Sequence, residues 1–364
     1  MSLRKLFIFL SFLIMGNCVS AQLYSDSTHY DWNPSVVGSE PVRGYEASYT
    51  GMTGFDVGSK SEIYGDGKSK IDYNRIFKTK LRFPILIKKN LKIAGSIEYS
   101  DEEIHFQDSK NISYPFYRSL HDKNMKSLGG SLYLMTQWKR NRYFMFRFNA
   151  KLRGDYWKEH IGDVSKYTFL KMEVSPVIGW KVNKYKSWGL GVAFSYTFGD
   201  PLVFPIFAYN HTFADKWGVV AFLPAKIKLR YQPSELCFIS AKTYLKGGSY
   251  SIHFDEQTQS EEILNPDNPA LSDFKTLEFR RSDINFSLEI EKGITDWLWL
   301  SFEGGYRSNI NFDVTNKNST LSLSGSKLTN EDNIIDSYAK GGMFYNLTLF
   351  VVPSKSLLKQ IGFK

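Results

Sequence analysis

The sequence predicts an all-β protein: a transmembrane antiparallel up-and-down β-barrel of about 14 strands, with 12 or 16 as the alternatives. Three observations carry this. Apolar and polar residues alternate through long stretches, as strands do when their two faces meet different surroundings. The connections between those stretches are short and long in turn. The chain opens on a secretory signal and afterwards holds no apolar run long enough for a spanning helix.

The opening "MSLRKLFIFLSFLIMGNCVSAQ" has a basic start at Arg4 and Lys5, an apolar core from Leu6 to Met15, and small residues before Gln22. Residues 1–21 read as a signal peptide cut after Ala21. Cys18 follows Asn17, where a lipoprotein site wants a small residue. Removal of residues 1–21 takes two basic and no acidic side chains, so the formal charge falls from +9 to +7. Cys237 is then the one remaining cysteine, which excludes an internal disulfide. Aromatic residues make up 16% of the chain while its mean hydropathy is negative. A secreted chain of that kind is either an extracellular sandwich or a membrane barrel.

The alternating runs fall near 42–56, 71–87, 91–107, 124–138, 143–157, 166–182, 188–199, 201–213, 217–223, 225–232, 235–252, 274–291, 297–312 and 337–351. Many reach the roughly 9–11 residues that a tilted strand needs to cross a bilayer. In 71–87, Phe77, Leu81, Phe83, Ile85 and Ile87 stand against Lys78, Lys80 and Arg82. In 143–157, Phe144, Phe146, Phe148, Ala150, Leu152 and Tyr156 oppose Met145, Arg147, Asn149, Lys151, Arg153 and Asp155. In 225–232, Ile227, Leu229 and Tyr231 oppose Lys226, Lys228 and Arg230. In 281–293, Ile284, Phe286, Leu288 and Ile290 oppose Asp283, Asn285, Ser287, Glu289 and Glu291. The two runs around Pro224 are the weakest pair, since one bent strand there would change the count.

Connections after even-numbered runs are brief, among them 88–90, 139–142, 183–187, 214–216 and 292–296. Those after odd-numbered runs include 57–70, 107–122, 255–273 and 313–336, with Gly199-Asp200-Pro201 and Pro224 as tight exceptions. A sandwich has no reason to sort loops by parity; an outer-membrane barrel has short periplasmic turns and long outer loops. The expected organisation is a signal peptide (1–21), a periplasmic lead (22–41), a barrel (42–353) and a periplasmic tail (354–364).

The run "DWLWLSFEGGYRSNINF" (296–312) shows what this implies for the faces. Leu298, Leu300, Phe302, Tyr306, Ile310 and Phe312 are expected to face lipid, and Glu303, Arg307, Asn309 and Asn311 the lumen. Trp297 and Trp299 share the lumen parity, although their place at a strand end suggests an aromatic belt facing lipid. In the last run, Lys340, Gly342, Tyr345 and Leu347 resemble the closing-strand signal read by barrel-assembly machinery, an expected partner alongside outer-membrane lipid. The stretches "FLPAKIKLRY", "LKGGSYSIHF" and "WLWLSFEGGYRSNINF" resemble an uncharacterised, domain-of-unknown-function family of outer-membrane barrels of Bacteroidota. That resemblance implies a fold and the bacterial outer membrane; it brings no activity.

The candidate solute path is the inward basic set Lys78, Lys80, Arg82, Arg147, Lys151, Arg153, Lys226, Lys228, Arg230, Arg281 and Arg307. The inward acids are Glu98, Glu173, Asp283, Glu289, Glu291 and Glu303. Two readings stand open: a cationic pore that prefers anions, or charges that pair across strands and fill the lumen. Porin-like or solute-binding transport is the expected function, with a non-conducting subunit of a larger envelope assembly and a lipid-modifying enzyme as alternatives. The histidines, His29, His105, His121, His160, His211 and His253, form no Ser-His-Asp arrangement by spacing. No metal-ligand spacing occurs, no cofactor is expected, and "GDGKSK" (65–70) lacks the phosphate-loop frame. Basic residues interleaved within membrane strands give nucleic-acid binding no support.

Overall fold

The computed structural model describes residues 32–107, 112, 114–155, 169–252, 277–316, 322–323 and 333–353. The expected signal peptide, the first part of the lead, the tail, Tyr156, His29, His160 and His253 lie outside the described residues. The strands run β1 (Tyr45–Lys60), β2 (Gly67–Lys88), β3 (Leu91–Phe106), β4 (Met125–Lys139), β5 (Arg142–Gly154) and β6 (Leu170–Asn183). Next come β7 (Lys186–Ser195), β8 (Leu202–Thr212), β9 (Trp217–Leu223), β10 (Lys226–Ser234) and β11 (Cys237–Ile252). The last are β12 (Leu277–Gly293), β13 (Leu298–Asn316), β14 (Ser322–Leu323), β15 (Asn333–Ala339) and β16 (Gly342–Val351). Helix α1 (Pro115–Asp122) lies between β3 and β4 and starts on a proline, whose fixed φ suits a first helical turn.

Strands β1 to β13 pair each with the next in antiparallel order, and β13 and β1 both pair with β16. The sheet therefore closes. β15 and β16 share one position in the wall, interrupted at Lys340 and Gly341, and β14 only touches β8. The result is a closed 14-strand barrel. The Pro224–Ala225 turn separates two strands rather than bending one.

Register carries the inward face from strand to strand across β1 to β5. Glu46 stands opposite Lys80, Lys80 opposite Glu98, Glu98 opposite Gly129 and Gly129 opposite Lys151. Outward side chains are apolar and exposed, among them Phe77, Ile97, Leu190, Leu288 and Phe302. In water such a belt would be a large liability; against hydrocarbon each side chain is in its preferred medium. Near the short turns, Trp180 stacks on Trp188 (4.4 Å between centroids) and Trp217 meets Tyr231 at a tilt (4.7 Å), both pairs outward. Their amphipathic rings suit the membrane interface.

Towards the long connections the inside changes character. In β1 and β2 the inward parity switches beside Gly54 and Asp72, where the β2–β3 register slips between Ile71 and Tyr73. A Cβ at Gly54 would stand 2.8 Å from the Ile71 carbonyl oxygen, so only glycine fits the switch. Beyond it Phe55, Val57 and Ile71 point in and are buried, while Asp56, Lys60, Lys68, Lys70 and Asp72 are exposed. The physical reason is the surroundings: past the bilayer the outer face meets water, so the apolar face turns inward.

The same switch corrects the expectation for Phe312. Ser282 pairs with Asn311 and Asp283 with Asn309, leaving Ile310 as an extra residue in β13. Such a bulge re-aims everything after it. Ile310 is outward, but Phe312 is 1% exposed and packs inside on Phe116 and Phe279. Two expected loops also shift: 57–70 is largely strand, leaving 61–66 as the turn, and 107–122 contains α1. Trp299 keeps its lumen parity. It is buried against Phe238, Phe350 and Val352 at the short-turn end, so the belt expectation fails there; Trp297 is half-buried just before β13.

Candidate site in the barrel lumen

Three layers occupy the interior. At the long-loop end α1 inserts Phe116, Tyr117 and Leu120 among Phe55, Val57, Ile71, Phe106, Phe279, Phe312 and Val314. The Tyr117 hydroxyl is anchored to Ser59 Oγ at 2.9 Å. This is a dry core, the kind that caps a soluble domain.

The second layer is charged. Glu98 receives three ammonium groups: Lys80 at 3.0 Å, Lys78 at 3.2 Å and Lys151 at 2.6 Å. Lys80 reaches it from the adjacent strand. Lys151 reaches it across a whole strand because the residue between them in register is Gly129. A Cβ at 129 would stand 2.6 Å from Lys151 Cγ. Gly129→Ala is therefore expected to destabilise the barrel by about 1–3 kcal/mol through overpacking, seen as a lower urea midpoint of the reconstituted protein; an unchanged midpoint would show that Lys151 reaches Glu98 by another route.

Glu289 and Glu303 stand directly opposite each other on β12 and β13. Lys242 holds both at 3.0 Å, and Lys228 lies 3.0 Å from Glu289 and 2.6 Å from Glu40. Arg43 pairs with Glu291 and, at 3.5 Å, with Glu289. A brace crosses the lumen: Arg281 pairs with Asp283 (2.9 Å) and with Glu102 of β3. Asn74 donates to Glu102 at 2.9 Å and accepts from Arg307 at 3.1 Å. Arg82 pairs with Glu46 (3.2 Å), and Arg153 lies 3.9 Å from Glu173.

Not every cation is matched. Among the described residues no carboxylate lies within salt-bridge distance of Arg147, Lys226, Arg230, Lys246 or Arg307. Arg230 donates to Thr212, and Arg307 to the Asn285 and Asn74 side-chain oxygens. Arg147 donates to Asn149 Oδ1 and lies 5.5 Å from the Tyr133 ring. Arg147 and Lys246 are exposed within the inward face, and Lys226 is half-buried.

The third layer is residues 32–44, a strap across the short-turn end. Trp32 and Val36 are 5% exposed. Trp32 donates to the Lys89 carbonyl at 3.0 Å, Ser187 to Pro34 at 2.6 Å, and Lys181 to Ser35. The Val37 amide reaches the Lys184 carbonyl at 3.0 Å, and Thr212 donates to Val37 at 2.5 Å. Lys181, Ser187, Thr212 and Lys228 belong to the inward faces of β6, β7, β8 and β10. The strap thus lies inside the mouth.

Of the basic residues named from sequence, Lys78, Lys80, Arg82, Lys151, Arg153, Lys228 and Arg281 are drawn into ion pairs, while the bulge at Ile310 sets Asn311, expected to face the lumen, opposite Ser282 on the outward parity. Sequence reading passed over Glu46, Glu102, Lys242 and Lys246, although parity within their strands was available to find them, and over Arg43, which precedes β1. It also missed Lys171, which pairs with Glu278, and Arg280, which pairs with Asp200. Glu278 and Arg280 have the outward parity of β12. They are buried because the ends of β11 and β12 lean across the interior, where Ser251 pairs with Gly154 of β5.

Of the histidines, His105 and His121 meet in an edge-on contact at 4.7 Å beside Tyr73, and His211 bonds Tyr209. Among the described residues no three His, Cys, Asp or Glu side chains are grouped to hold a metal ion.

The fold is similar to solved barrels. The COG4313 outer membrane channel from Pseudomonas putida F1 aligns at a TM-score of 0.37 and 9% identity, covering 88% of this chain and 99% of that one. The P. putida toluene transporter TodX aligns at 0.33 and 8%, covering 88% and 92%. LpxR from Salmonella typhimurium aligns at 0.30 and 6%, covering 84% and 99%. At these values the likeness carries no functional argument. No curated protein sequence matches the chain. Residues 47–322 match the family described as Domain of unknown function (DUF6268), and the chain belongs to that family.

Proposed function

We propose that this protein is a gated channel for anionic solutes in the bacterial outer membrane, of Bacteroidota origin, with its short turns in the periplasm. The carrying observation is the set of inward cations without a carboxylate at salt-bridge distance among the described residues, Arg147, Lys226 and Lys246, lying between the α1 core and the strap. Arg147 and Lys246 are exposed within the lumen and Lys226 is half-buried, so their charge is open to a solute. A lumen meant only to be filled would pair it, as it pairs Glu98, Glu289 and Glu303. The solute path we infer runs along the inward basic residues named from sequence. Entry into the membrane is taken to use Lys340, Gly342, Tyr345 and Leu347, of which Tyr345 and Leu347 present outward side chains to the assembly machinery.

The occupied ends of the lumen favour a second reading, a non-conducting barrel subunit. Planar-bilayer recordings under a KCl gradient separate the two. The expected result is a rarely open channel with an anion-selective reversal potential. Arg147→Gln, Lys226→Gln and Lys246→Gln together should move that potential towards zero. Cation selectivity, or silence in the wild type and in a strap-deleted variant, would overturn the channel reading.

A further inference from the structure

β9 and β10 are short, seven and nine residues. Their neighbours continue past them. β8 pairs with β9 only from Phe207 onward, and β11 pairs with β10 only as far as Tyr244. Leu202–Ile206 and Lys246–Ile252 therefore have neither β9 nor β10 alongside; among the described residues Leu202 and Val203 pair instead with β14 and Ser251 with Gly154 of β5, which leaves a short break in the ladder at Phe204–Ile206. Seven residues at ~3.3 Å each, tilted by about 35–45°, rise only about 16–19 Å, against an apolar band of about 25 Å. The Pro224–Ala225 tip thus stops inside the hydrocarbon region. Val192 and Pro205, opposite each other above the tip, still present exposed apolar outer faces. The gap is bridged by the turn 196–201. It touches β12 through Ser282 Oγ on the Thr197 carbonyl (3.3 Å) and through Asp200 on Arg280, and it sets Phe198 against Phe204.

The lumen side of this seam is apolar, with Val177, Ala193, Phe204 and Ile206 buried and Phe222 against them. Around it stand cations that have no carboxylate within salt-bridge distance among the described residues. Lys226 opens β10 and pairs in register with Tyr244, which places Lys246 diagonal to it; Arg147 follows one inward position after Met145, which packs on the same apolar group. We propose that the seam is a lateral port and that its substrates are amphipathic anions: a carboxylate or phosphate head held by Lys226 and Lys246, with an alkyl or aryl body against Phe204 and Ile206. This rests on the anion-channel reading and adds a substrate class and a route between lumen and outer leaflet. Small hydrophilic anions do not need the apolar wall, and neutral hydrocarbons do not need the cations.

The test is uptake into proteoliposomes of radiolabelled dodecanoate against acetate, with chloride conductance recorded on the same preparations. Dodecanoate should exceed acetate. Ile206→Asn should cut dodecanoate uptake by about tenfold or more, the scale on which an apolar pocket discriminates, while Ile206→Leu and the chloride conductance hold. If Ile206→Asn does not fold, the milder Ile206→Thr should lower dodecanoate uptake in the same direction relative to chloride conductance. Chloride conduction without dodecanoate preference overturns the port and leaves the channel standing; absence of any anion passage, with the strap present or deleted, overturns both. Competition by phosphatidylglycerol in the vesicles would assign the site to a lipid head group, and absence of competition to a free amphiphile; either supports the site.

Discussion

Glu98→Ala is expected to destabilise the barrel by about 3–5 kcal/mol, the cost of breaking a buried charge pair from one side. The Glu98 side chain is 9% exposed and, among the described residues, is the one carboxylate within salt-bridge distance of Lys78, Lys80 and Lys151. Removing it leaves the ammonium groups of Lys78 and Lys80 from β2 and Lys151 from β5 converging on one place without their carboxylate, each repelling the others. A domain is stable by only about 5–15 kcal/mol, so this one change removes a large share. Glu98→Gln keeps the shape but not the charge and should lose nearly as much. Glu173→Gln should lose clearly less, because its arginine stands 3.9 Å away and its side chain is 17% exposed. Urea unfolding of the reconstituted variants measures all three. A loss at Glu98 no larger than at Glu173 would mean that solvent in the lumen already screens the lysines.

The contrast shows what could be read from sequence. That Lys80, Glu98 and Lys151 point inward follows from alternation alone, since a period of two is all the information a face needs. That they meet does not, because contact depends on register around a closed ring and on Gly129 leaving room. Lys246 is similar: its face was readable, but its lack of a carboxylate is a property of everything across the lumen. The Arg281–Glu102 contact joins residues 179 apart in sequence and had no local signal.

Phe312 shows the other kind of failure. "NINF" reads as alternation whether or not Ile310 is a bulge, so a one-residue switch of face leaves no mark in the pattern. The switches at Gly54 and Ile310 are the places where the outside changes from hydrocarbon to water. A single rule, polar inside, cannot hold on both sides of that boundary. The strap was equally hidden: Trp32 and Val36 belong to no periodic run, and their burial is decided by the mouth of a barrel that closes 300 residues later.

Deleting residues 32–41 is expected to convert a mostly silent barrel into one with several-fold higher conductance. Ordering a segment costs about 1–2 kcal/mol per residue in backbone entropy. Burying Trp32 and Val36 returns about 1.5–3 kcal/mol each. Much of the strap's hold must therefore come from its polar contacts, chiefly Glu40 on Lys228 and the carbonyls capped by Lys181, Ser187 and Thr212. None of these groups is needed to close the strand ladder, so the deleted barrel should still fold and keep its heat-modifiable mobility on gels. The deletion also takes the Glu40 carboxylate away from Lys228, making the mouth more positive. Conductance and anion selectivity should then rise together in the same recordings. Higher conductance with unchanged selectivity would make the strap a steric plug only. Unchanged conductance in a folded deletion variant would mean that the α1 core and the Arg281–Glu102 brace close the lumen without it, and would leave the non-conducting subunit as the better account of this barrel.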